Sequence, residues 1–106
     1  MENPVALLKK YAKNNDTCRV TFSLQKEAVK TAQKVQLVGE FNNWQEQGTP
    51  MVRSKDGSLK AVLELKAGRE YQFRYLIDGK TWENDFQADK YAPSPYGACE
   101  NSVVVV

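Results

Sequence analysis

A chain of 106 residues with 15 basic and 13 acidic side chains holds one domain and carries a formal charge of only +2. Its lysines and arginines are spread along the sequence, which argues against a nucleic-acid partner, and no apolar run approaches the ~18 residues that cross a bilayer. Histidine is absent, and this removes Ser/His and Cys/His catalysis, imidazole acid–base chemistry and most catalytic zinc sites together.

In chain order, the first segment predicts a helix over residues 3–13. Asn3 is placed to cap it, Pro4 suits the first helical position, and Val5, Leu8 and Ala12 share one face with Tyr11 beside it. "NND" then stops the helix, so residues 1–16 read as a helical arm and residues 17–106 as the main module. "MENPVALLKKYAKN" has no secretory apolar core followed by small residues, and the expected location is the cytoplasm. In that reducing compartment Cys18 and Cys99 are expected as small apolar side chains rather than a disulfide.

From Thr17 onward the period changes to two. Cys18, Val20, Phe22 and Leu24 alternate with Thr17, Arg19, Thr21 and Ser23, the pattern of a half-buried strand. "QKEAVKTAQK" is a polar connection, helical turn or open loop. Val35–Gly39 and Met51–Ser54 read as further strands, and "KDGS" turns into alternating Leu59, Ala61, Leu63 and Leu65. The clearest strand has Tyr71, Phe73, Tyr75 and Ile77 on one side and Gln72, Arg74 and Leu76 on the other. "DGKT" reverses the chain ahead of Trp82. An irregular stretch, Asp85 to Gly97, precedes "NSVVVV" as a closing strand. Short strands with regularly spaced turns imply an all-β sandwich.

Two tryptophans stand at positions that read as loops. Trp44 follows Gly39 and two asparagines in "VQLVGEFNNW", and Trp82 follows the Asp78-Gly79 turn. The space between two sheets is limited, and strand 71–77 with Phe22 and Phe41 already supplies aromatic rings to fill it. Each indole therefore either lids one end of the core or stands outside as a platform, and pattern alone leaves both readings open.

"VQLVGEFNNW", "YQFRYLIDGKTW" and "ENDFQADKYAPSPYGACENSVVVV" together resemble carbohydrate-binding module family 48. This is the glycogen-binding module of the AMP-activated protein kinase β subunit, also found ahead of the barrel in isoamylases and glycogen branching enzymes. The resemblance runs from about Thr17 to Val106. It implies an early-set immunoglobulin-like β-sandwich that binds α-1,4-linked glucans (glycogen, starch, maltooligosaccharides) without cleaving them.

On that resemblance Trp44 and Trp82 match the two tryptophans that hold a curved oligosaccharide, with one extra residue after the Asp-Gly turn here. Arg74 takes the place of the basic strand residue. Tyr96 falls where the kinase subunit has a leucine that enters the ring of a cyclic ligand. Ala98 and Glu100 replace a threonine and an asparagine, and Asn101 is the candidate substitute for the latter, so polar selectivity is where this sequence departs from the family. The chemistry fits the residue types: glucose C–H faces lie on indole, and an arginine outside the sheet offers fixed donors to hydroxyls.

The resemblance implies no cofactor and no metal. Glu83, Asp85 and Asp89 alternate with turn residues, and an open sandwich face supplies no pair of carboxylates flanking a scissile bond. Partners implied are a glucan and a glycogen-metabolising enzyme, with the chain a monomer or weak homodimer that targets or regulates glycogen metabolism. The competing reading is a protein–protein interaction module with a degenerate sugar site, docking through the amphipathic N-terminal helix and an edge strand "SVVVV".

Overall fold

The computed structural model describes residues 7–25, 31–85, 87–93 and 100–106. Its strands are β1 (Leu7–Tyr11), β2 (Thr17–Leu24), β3 (Val35–Gly39), β4 (Thr49–Pro50), β5 (Val52–Arg53), β6 (Leu59–Lys66), β7 (Glu70–Ile77), β8 (Thr81–Glu83), β9 (Lys90–Pro93) and β10 (Glu100–Val105). A 3-10 turn, Glu40–Asn42, follows β3. The strands form two antiparallel sheets. One has the order β1-β2-β6-β5, the other β4-β3-β7-β10-β9, with β8 paired to β7 beside β10.

Period-two alternation makes the sandwich. In β2 the side chains of Cys18, Val20, Phe22 and Leu24 are buried while Thr17 and Arg19 face water. Leu59, Ala61 and Leu65 do the same for β6, and Phe73 and Tyr75 for β7. Opposed inner faces then bring rings together. Phe22 meets Phe73 edge-on at 5.1 Å between centroids, and Phe73 meets Tyr75 the same way at 5.7 Å. Such pairs contribute about 0.5–1.5 kcal/mol each beyond the area they bury. Phe41, from the 3-10 turn, packs on Phe22 at 5.6 Å and closes this end of the core. The chain passes from one sheet to the other at Met51, which is buried between β4 and β5 and donates its N–H to the Val35 carbonyl.

The structure corrects four readings. Residues 7–11 of the expected helix are a strand, paired along β2 from Leu7↔Phe22 to Tyr11↔Cys18. Only Leu7 of the five is buried, and pairing with β2 satisfies the backbone of these residues. The strand expected over Met51–Ser54 is interrupted by the crossing at Met51, with β4 in one sheet and β5 in the other. The stretch from Asp85 to Gly97 contains β9, an edge strand on β10. Consequently "SVVVV" is an interior strand between β7 and β9, with Val103 and Val104 fully enclosed. Both docking surfaces of the interaction-module reading, the helix and the open edge, are therefore occupied otherwise in residues 7–11 and 100–105.

β1 is tied to the opposite sheet as well. Lys9 Nζ lies 2.7 Å from Asp89 Oδ2, just ahead of β9, and that same oxygen accepts the Val105 N–H at 2.7 Å.

Candidate functional site

The outer side of β7 is set by the same alternation that buries its inner side. Phe73 and Tyr75 point into the core, so Gln72, Arg74 and Leu76 emerge on the far face. Register extends that face sideways. Val38 of β3 stands opposite Arg74, Gln36 opposite Leu76, and Trp82 of β8 opposite Leu76 from the other edge. Trp82 is thus not a loop residue, as its sequence position suggested, but the middle of a short strand. Its 38% exposure leaves an indole open on the sheet surface, while the outward-facing Leu76 beside it is buried.

Trp44 arrives by a built turn. Asn42 accepts the Gly39 N–H through Oδ1 at 3.0 Å and donates Nδ2 to the Leu37 carbonyl at 2.9 Å, locking the chain as it leaves β3. Asn43 and Trp44 then both take left-handed backbone, with φ of 59° and 58°. The Trp44 N–H closes the turn on the Gly39 carbonyl at 2.9 Å. After Trp44 the loop returns across the outer side of β3. Gln36 Nε2 donates to the Gln47 carbonyl at 3.0 Å, and Gly48 lies so close to Val38 that a Cβ there would come within 2.9 Å of Val38 Cγ2. The half-buried Trp44 therefore heads a loop that packs onto the face carrying Arg74 and Trp82. Along β7, the Trp44 anchor at Gly39 is level with Phe73 and Trp82 is level with Leu76, a separation of ~10 Å at the usual strand rise. Arg74 lies between the two.

Arg74 is half-buried and held. Its Nη2 donates to the Glu100 carbonyl at 2.9 Å, and among the described residues nothing accepts from its buried Nε. Asn101 is 5% exposed and donates Nδ2 to Gln72 Oε1 at 2.9 Å. Its side chain is thus committed to β7, leaving Gln72 as the more open member of the pair. Tyr96, Ala98 and Cys99 lie outside the described residues.

Beneath this face runs a polar chain centred on the buried Tyr75, Asp85 and Ser102. Asn84 Nδ2 donates to the Glu100 carbonyl at 2.8 Å, and Asn84 Oδ1 accepts from Ser102 N at 3.0 Å and Ser102 Oγ at 2.8 Å. Ser102 Oγ in turn accepts the Asp85 N–H at 2.8 Å. The Asp85 carboxylate takes the Tyr75 hydroxyl at 2.7 Å and the Gln87 N–H at 2.8 Å, while Tyr91 OH donates to the Asp85 carbonyl. Burial pushes the Asp85 carboxyl up, against the pull of its hydrogen bonds. Burial, reinforced by that carboxylate, pushes the Tyr75 phenol well above its ordinary range. Each of these groups is bonded to another member of the chain, as in a structural network. Gln72 and Asn84 were not singled out from the sequence; the outward parity of Gln72 was readable, but the role of Asn84 depends on which strands meet there.

Two antiparallel sheets packed face to face, with an indole and an arginine outward on one of them, define a β-sandwich of immunoglobulin-like type. A family model described as the glycogen recognition site of AMP-activated protein kinase matches residues 20–106. The chain belongs to that family, whose modules bind carbohydrate and are not themselves catalytic. No curated protein matches the chain. Among the described residues no helix is long and apolar enough to cross a membrane.

Proposed function

We propose that the chain binds α-1,4-linked glucan, without cleaving it, on the outer face of the β3-β7-β10 sheet. Trp82 stacks on the apolar face of one glucose unit and Trp44 on another further along the chain. Arg74, between them, donates to hydroxyls. Tyr96, from the segment before β10, and Asn101 of β10 complete the site, Asn101 acting through Gln72, which its side chain holds. The observation that carries this reading is the exposed indole of Trp82 on the same sheet face as Arg74 in a member of this family. A shallow face leaves much of the sugar wet, so affinity for short oligosaccharides is weak, on the order of 0.01–1 mM. Long or branched glucans bind better because many repeats are presented together. In the cell, in the cytoplasm, the module acts as a targeting or regulatory factor that brings a glycogen-metabolising enzyme to its polymer.

Titrating the protein with maltoheptaose and with β-cyclodextrin, watched by tryptophan fluorescence, tests the reading. Saturable change with both sugars and none with cellohexaose is the expected result. An emission spectrum indifferent to every glucan overturns it.

A further inference from the structure

β7 changes partner along one edge. Residues 70–73 pair with β10, and residues 75–77 pair with β8. At the change, the end of β10 facing β7 has backbone groups that no strand reaches. The side-chain amide of Asn84 fills the gap. It donates to the carbonyl of Glu100 and accepts the N–H of Ser102, the two bonds that the N–H and C=O of one residue of a parallel neighbour would make. The Glu100 carbonyl held by Asn84 is also the acceptor on which Arg74 Nη2 rests.

We propose that Asn84 is a positioning residue for the glucan face, acting through Arg74; the proposal rests on the function proposed above. Asn84 fixes the Glu100 carbonyl, and that carbonyl fixes the guanidinium at the height and angle at which its remaining donors meet the sugar. A guanidinium has long rotatable links to the backbone, and ordering it beforehand removes an entropic cost from each binding event. Asn84 itself makes no contact with ligand. Its side-chain bonds run to β10.

The test is a double-mutant cycle with amylose affinity electrophoresis, using N84A, R74A and the double variant, together with a ligand-free measurement by NMR. In the otherwise unchanged protein N84A weakens retardation about fivefold. In the R74A background the same substitution weakens it less than twofold, a coupling that a general loss of stability does not produce. Without ligand, the buried Arg74 Nε–H exchanges slowly with solvent in the parent chain and quickly in N84A. N84D keeps the acceptor for Ser102 and loses the donor to Glu100; it folds, and its Arg74 Nε–H also exchanges quickly. Equal losses from N84A in both backgrounds, or a protected Nε–H in N84D, overturn the inference while leaving glucan binding intact. A parent chain that amylose does not retard overturns the functional reading, and this inference with it, whatever the NMR signal does.

Discussion

Trp82 lies directly across from Leu76 in the β7–β8 ladder, its indole open to water while the leucine, on the same outer face, is buried. The tryptophan is thereby both a surface and a cover. Removing it uncovers one leucine but leaves the rings of Phe22, Phe73 and Tyr75 untouched, since they belong to the opposite side of the sheet. Trp82→Ala is therefore expected to weaken glucan binding about tenfold or more, a loss of about 1.4 kcal/mol. A cooperative thermal transition within a few degrees of the parent is expected alongside. Sugar titration and calorimetry on the same sample check both halves; an unfolded variant would show that the indole belongs to the core.

Trp44 combines a large side chain with a φ of 58°, a backbone region that disfavours any residue with a Cβ by roughly 1–2 kcal/mol. Two truncations separate the ring from the strain. Trp44→Ala loses the ring and keeps the strain, whereas Trp44→Gly loses both. The glycine variant is expected to be more stable than the alanine variant by about 0.5–1 kcal/mol, net of the greater freedom of glycine when unfolded. Both lose glucan binding alike. Urea midpoints that rank alanine above glycine would mean that this backbone conformation carries no strain.

Gly39 is needed for space. Its φ of −173° is extended backbone that any residue adopts. A Cβ there, however, would stand 2.5 Å from the Gln72 carbonyl oxygen and 2.7 Å from Phe73 Cβ. Neither can retreat without parting β3 from β7. Gly39→Ala should cost about 2–3 kcal/mol and lower the thermal midpoint by roughly 10 °C or more. At Gly68 a Cβ would meet nothing within 4 Å, and only its φ of +79° resists substitution. Gly68→Ala should cost about 1 kcal/mol. Equal losses at the two positions would refute the close-packing argument.

Asp85 gives a pH dependence with a definite sign. Burial holds its carboxyl above the ordinary value of 3.8, so the native state keeps the proton more tightly than the unfolded chain. The stability it supplies is complete below the unfolded value and is lost as pH rises through the folded one. Asp85→Asn cannot titrate there. The stability difference between the parent and this variant should therefore be largest at about pH 3 and should narrow toward about pH 7. Urea denaturation of both proteins at the two values measures it, and a gap that grows toward neutral pH would reverse the assignment.

The strands with two kinds of neighbour were the legible ones. β2, β6 and β7 each bury one side and expose the other, and their residues write that division into the sequence. β1 and β8 have no such division. β1 buries Leu7 alone, and all three residues of β8 are exposed, so neither carries an alternation to read. The spacing of Leu8, Tyr11 and Ala12 imitates one face of a helix there. The outward setting of Arg74 followed from parity with Phe73 and Tyr75. The work of Asn84 did not, because it arises where two strands distant in sequence abut. Asn42 looked like a turn residue and is one, yet its two bonds to Gly39 and Leu37 are what aim the chain toward Trp44.

Arg74 stands in the chain between Phe73 and Tyr75, two rings set at 81° to each other and sealed from water. One peptide thickness separates a sealed floor from the outer face proposed to meet glucan. A substitution that displaces either ring displaces the backbone from which the guanidinium extends, so interior packing and the proposed hold on sugar are coupled through adjacent residues.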